Sequence, residues 1–83
     1  MPYIKSNDRI ALSKVIGSAP IESAGELNYL FTKLIIMYMQ QNGKGYKQVN
    51  DVIGALEGAK LEFYRRVAAP YEDLKANENG DVY

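Results

Sequence analysis

Seven tyrosines and a small set of cations are the groups in this chain best suited to holding a ligand. The densest cluster is Tyr64-Arg65-Arg66, followed by Tyr71, while Tyr29 and Lys33 stand at i and i+4, one helical turn apart. Tyrosine offers a flat ring for stacking and a hydroxyl. Arginine offers a planar, permanently charged fork that matches a phosphate at two points. Together Tyr29, Lys33, Tyr64, Arg65, Arg66 and Tyr71 describe a candidate nucleotide-binding set. The same groups have a structural alternative, in which Tyr64 lies in the core and Arg65 and Arg66 pair with Glu62, Glu72 or Asp73 near a helix C-terminus.

Other chemistries are poorly served. With no Cys and no His, disulfides, thiol nucleophiles, structural zinc and imidazole bases are excluded together. A metal would have only carboxylates and carbonyls as ligands, and a serine nucleophile would need lysine as its base. Gly43-Lys44-Gly45 lacks the spacing of a phosphate-binding loop and reads as a turn. The carboxylate pairs Glu57 with Glu62 and Glu72 with Asp73 do not aim two acids into one cleft from a single helix. The expectation is a protein that is not an enzyme and uses no cofactor or metal.

Partners are narrowed by charge. Ten basic and ten acidic residues cancel, so the basic footprint of a DNA- or RNA-binding protein is missing. Gln48 to Glu62 is acidic and carries glycines, unlike a recognition helix. The longest apolar run, residues 34–39, falls far short of the roughly 20 residues of a membrane span. The opening residues lack the pattern of a secretory signal, which points to the cytoplasm.

The elements that must position these groups are helical. At 83 residues there is room for one domain. Leu27, Leu30, Phe31, Leu34, Ile35 and Tyr38 recur at helical spacing and predict a long helix over residues 25–41. Ser23 with Glu26 forms a capping-box pattern before it, and Asn42-Gly43 supplies a stop after it. Val49, Val52, Ile53, Leu56, Phe63, Tyr64 and Val67 predict a second long helix over 46–68, ended by Pro70. A weaker helix is expected over 7–17, capped by Ser6 or Asn7 and broken around Gly17 to Pro20. The expected fold is all-α: a small antiparallel αα-hairpin, a short N-terminal helix lying across it, and an ordered tail over 70–83. Residues 71–83 carry a net charge of −3, which predicts a tail folded back onto a basic surface.

A two-helix pair would leave apolar faces uncovered. Tyr29 and Ile36 stand opposite the main stripe of the first long helix, and Gly54, Gly58 and Leu61 opposite that of the second. Each helical glycine costs about 1 kcal/mol relative to alanine, so close approach by another backbone is a reason to keep them. Tyr29, Ile36, Gly54, Gly58 and Leu61 are therefore the expected surface of a homo-oligomer. The competing expectation is that the N-terminal segment covers these faces.

The opening Met1-Pro2-Tyr3-Ile4-Lys5, the Leu27-Asn28-Tyr29 segment, the run from Glu62 to Asp73 and the closing Asn79-Gly80-Asp81-Val82-Tyr83 together resemble a small, uncharacterised helical family of bacteriophages and bacterial genomes. In size and helical, oligomeric character the chain is also similar to phage anti-defence "sponges". The resemblance implies a protein that sequesters a cyclic oligonucleotide or cyclic ADP-ribose immune signal in pockets between subunits, lined by rings and cations. Two alternatives stand beside it: a protein-binding inhibitor of a host defence enzyme, and a purely structural oligomerisation module.

Overall fold

The computed structural model describes residues 2–17 and 19–83, so Met1 of the opening motif and Ser18 of the expected break lie outside the described residues. Among those described, the secondary structure is helical, with no strand. The order is α1 (Ser6–Ser13), α2 (Ala24–Asn42), α3 (Tyr46–Phe63), a π-helical turn (Tyr64–Ala68) and α4 (Ala69–Asn79). Contacts divide the chain into two compact units, residues 3–53 and residues 54–83 with Pro2.

In the first unit, α1 is shorter than its apolar spacing predicts and has a different cap. Lys5, in extended conformation, precedes it, and its carbonyl accepts from Asp8 and Arg9 N–H; no side chain caps this end. The Arg9 guanidinium is turned back onto the Ile4 carbonyl at 2.9 Å, which anchors the entry to the helix. At the other end the Ser13 hydroxyl donates to the Arg9 carbonyl at 2.6 Å and competes with the helical ladder. The N–H groups of Lys14, Val15 and Ile16 then bond three residues back, a tightening that winds the helix down.

The start of α2 is fixed by its side chains. Ser23 Oγ accepts from the Glu26 N–H at 3.1 Å, and Glu26 Oε1 accepts from the N–H of Glu22 at 2.7 Å, one residue earlier than the reciprocal bond of a capping box. The stop is Gly43, whose φ of 108° is open to glycine and whose N–H satisfies the Met39 carbonyl at 2.9 Å. Gln48 secures the link to α3: its Oε1 accepts from the Gly45 N–H, and its Nε2 donates to the Asn42 carbonyl at 3.0 Å. The Tyr38 hydroxyl donates to Asp51 Oδ2 at 2.7 Å and ties the end of α2 to the beginning of α3.

In the second unit Pro70 does not end the helix. Proline lacks an N–H and crowds the carbonyl four residues before it, which ordinarily stops or bends an α-helix. Here the turn before it, Tyr64–Ala68, widens to π geometry, and Ala69 stays helical at φ −64° and ψ −46°. Widening relieves the crowding, and the chain continues as α4 to Gly80, where a φ of 89° terminates it. The expected tail over 70–83 is thus mostly helix. Residues 69–79 run on from α3 and do not fold back on it, because the π turn lets helical bonding pass the proline.

No described residue is buried. The chain exposes 7443 Å², where a folded monomer of its 9.3 kDa exposes about 5,000 Å². The stripe expected to form the core of a hairpin is itself open, with Leu27, Leu30, Phe31 and Leu34 each 39 to 47% exposed. The N-terminal segment does not close it either, since Ile10, Leu12, Val15 and Ile16 are exposed as well.

Candidate functional site

The candidate ligand-binding residues fall into two sets, one in each unit. Tyr29 and Lys33 lie on α2, where the i, i+4 spacing brings the Lys33 ammonium 5.7 Å from the centre of the Tyr29 ring. Both follow from helix geometry alone. In the second unit, Tyr64, Arg65 and Arg66 occupy the π turn, and Tyr71 sits in the first turns of α4. The structure adds Lys75, whose ammonium lies 5.6 Å from the Tyr71 ring.

Glu62 organises the basic end of α3. Its Oε1 receives Arg65 Nη2, three residues on, and Arg66 Nε at 3.2 Å, four residues on. The Glu62 side chain is only 15% exposed, whereas the two guanidinium side chains are 64 and 61% exposed. One sheltered carboxylate thus fixes two cations whose outer faces meet solvent, and the three groups together keep a charge of +1. Of Glu62, Glu72 and Asp73, the carboxylate seen to pair with both arginines is Glu62. Tyr64 and Tyr71 are more than half exposed, so neither ring is taken up by a core.

The candidate oligomer residues are open too. Tyr29, Ile36 and Leu61 are exposed, and Gly58 is half-buried. A Cβ added at Gly54 would meet no atom within 4 Å. Nothing among the described residues therefore requires glycine at position 54.

Two features of the first unit escape a reading by periodicity. Asp51 Oδ2 accepts from the Tyr38 hydroxyl and from Lys47 Nζ at 2.9 Å. The Lys47 hydrogen bond and then the Tyr38 bond hold the Asp51 carboxyl below its usual value, while Asp51 raises both partners. Residue types alone do not reveal this triad, because its members come from two helices. The second feature is an apolar cleft of about 860 Å³ between residues 15–17 with 19–21 and the first half of α2. Val15, Ile16 and Ile21 form one wall, and Leu27, Leu30 and Leu34 the other.

Among the described residues no cluster of three acidic groups could hold a metal ion, and no helix is long and apolar enough to cross a membrane. The arrangement offers rings, guanidinium forks and ammonium groups near solvent. A family model for a domain of unknown function, DUF6899, matches residues 1–82. No curated protein and no solved structure matches the chain.

Proposed function

The chain belongs to the DUF6899 family, and we propose that it is a non-enzymatic binding protein of the phage anti-defence kind, which sequesters a nucleotide immune signal. The signal is of the cyclic oligonucleotide or cyclic ADP-ribose type, and the pockets lie between subunits of a homo-oligomer. One observation carries this reading: Tyr64, Arg65 and Arg66 present an exposed ring and two exposed forks on one π turn, preset by Glu62. Such a turn can stack on a base and grip a phosphate without first paying to order its cations.

The open apolar surface supports the oligomeric part. A helix gains most of its stability from tertiary packing, and a chain with none of its described residues buried supplies too little of it alone. In this reading copies meet through Tyr29, Ile36, Gly54, Gly58 and Leu61. Assembly then brings Tyr29 and Lys33 of one subunit to the Tyr64–Tyr71 set of its neighbour.

The test mixes purified protein with cyclic dinucleotides, cyclic trinucleotides and cyclic ADP-ribose isomers, removes the protein by filtration, and heats it. Recovery of one intact nucleotide only after heating is the expected result. A chemically altered nucleotide would mean catalysis, and a panel left wholly in the filtrate would favour a protein target.

A further inference from the structure

Asparagine stands before glycine twice in this chain, at Asn42-Gly43 and at Asn79-Gly80, and each pair closes a helix, α2 and α4. The pairing has a chemistry of its own. Glycine has no Cβ to shield its backbone nitrogen, so that nitrogen, once a base in solution takes its proton, can attack the side-chain amide carbon of the preceding asparagine. A bond forms between the glycine nitrogen and asparagine Cγ, ammonia leaves, and a cyclic imide remains. Water opens the imide at either carbonyl and gives aspartate or, with the main chain rerouted through the side chain, isoaspartate. Overall, an amide and water become a carboxylate and ammonium.

The attack needs the helix end to open, and both pairs start from the same closed state. Gly43 N–H donates to the Met39 carbonyl at 2.9 Å and Gly80 N–H to the Ala76 carbonyl at 2.8 Å, and all four residues are exposed. The remaining tethers separate them. Asn42 Nδ2 donates to the Tyr38 carbonyl at 3.0 Å, and Gln48 Nε2 holds the Asn42 carbonyl at 3.0 Å. The link beyond Gly43 is closed by Gln48 on the Gly45 N–H and by Tyr38 on Asp51. The Asn79 amide, by contrast, has no hydrogen-bond partner among the described residues. Beyond Gly80 the chain leaves the helix, and Val82 and Tyr83 are exposed. Segments with so few contacts open locally at little free energy.

We infer that Asn79-Gly80 is a site of spontaneous deamidation, and that the link between α2 and α3 protects Asn42-Gly43 from the same reaction. Conversion at position 79 adds a negative charge to the C-terminal end of α4, where the helix dipole is already negative and Glu78 and Asp81 stand nearby in sequence. Isoaspartate also lengthens the main chain and displaces the Gly80 N–H from the Ala76 carbonyl. The last turn of α4 therefore unwinds as the protein ages, while the end of α2 keeps its form.

The test ages the whole purified chain at mildly alkaline pH, digests it with trypsin and follows the exchange of amide for carboxylate by mass spectrometry, with an isoaspartate-specific methyltransferase as a second readout. Trypsin separates the two pairs, cutting after Lys33 and Lys44 around Asn42 and after Lys75 before Asn79. In the folded chain Asn79 should convert at least roughly 10-fold faster than Asn42, the worth of the two further hydrogen bonds at Asn42. In guanidinium chloride the two should convert at similar rates. Gln48→Ala should speed conversion of Asn42 and leave Asn79 unchanged, and Asn79→Gln should abolish the signal after Lys75. Equal rates in the folded chain, or faster conversion of Asn42, overturn the inference. So does an Asn79 that converts in guanidinium chloride and not in the folded chain. A folded Gln48→Ala protein with Asn42 as stable as before overturns the protective part; should that variant not fold, the wild-type comparison of folded and unfolded chain decides alone. Failure of every nucleotide to bind would leave these rates unchanged, so the two proposals fail separately.

Discussion

The Tyr38 hydroxyl donates to Asp51 Oδ2 at 2.7 Å, and the same oxygen receives Lys47. This bond crosses the link between α2 and α3 and sets how the two helices leave it, together with Gln48 on the Asn42 carbonyl.

The triad predicts a stability profile with two limbs. Asp51 has a lowered pKa, so its contribution is present above the ordinary carboxylate value of about 3.9 and is lost as pH falls through the lower folded value. Tyr38 and Lys47 are raised, so theirs is present below about 10 and is lost as pH rises through their folded values. Asp51→Asn should flatten both limbs in thermal unfolding followed by circular dichroism. Unchanged limbs would show that the triad does not hold the link.

Arg65→Ala and Arg66→Ala should each weaken nucleotide retention by roughly 10- to 100-fold while helicity is kept, the usual worth of a hydrogen bond to a charged group. Arg→Lys at either position should restore only part of it, because an ammonium keeps the charge and loses the fork. Retention equal to wild type in both alanine variants would remove these residues from the site.

Pro70→Ala separates the π turn from its cause. Without the ring and with an N–H restored, residues 64–70 should settle into regular α-helix, which rotates Tyr71 and Lys75 relative to Tyr64 and Arg65. Amide and carbonyl chemical shifts would detect the change of hydrogen-bond pattern. Retention should fall although helix content holds or rises; retention that rises would mean that the π turn does not shape the site.

Gly54→Ala should raise helix stability by about 1 kcal/mol if the chain is considered alone. Its new methyl meets nothing within 4 Å among the described residues. A lower oligomer mass would therefore come from a neighbouring backbone, and that is the expected outcome. A higher melting temperature with unchanged mass would count against close packing at this glycine.

The helical class and the start of α2 were legible because their signals are local. A 3.6-residue apolar period, a serine at the cap and a glycine at the stop each act within one or two turns. The rule that proline ends a helix is local too, and it misleads here because one widened turn relieves the crowding that the rule assumes. The Tyr29 with Lys33 spacing could be read for the same reason, and so could the reach of Arg65 and Arg66 to Glu62. The Tyr38 and Asp51 bond joins residues thirteen apart across a turn, which no periodicity encodes. The cleft was hidden because α1 stops at Ser13, short of the apolar spacing that carries the expected helix to residue 17, and residues 19–21 follow no repeat that says which face they approach.

The central claim is that a nucleotide is held intact by an assembly of this chain. Native mass spectrometry of the protein after incubation with the nucleotide panel measures subunit count, bound mass and ligand integrity at once. The account predicts an oligomer carrying whole, unmodified nucleotides in fixed ratio to subunits, and bare monomers. Nucleotide bound equally well to monomers, or oligomers that carry none from the panel, would contradict it.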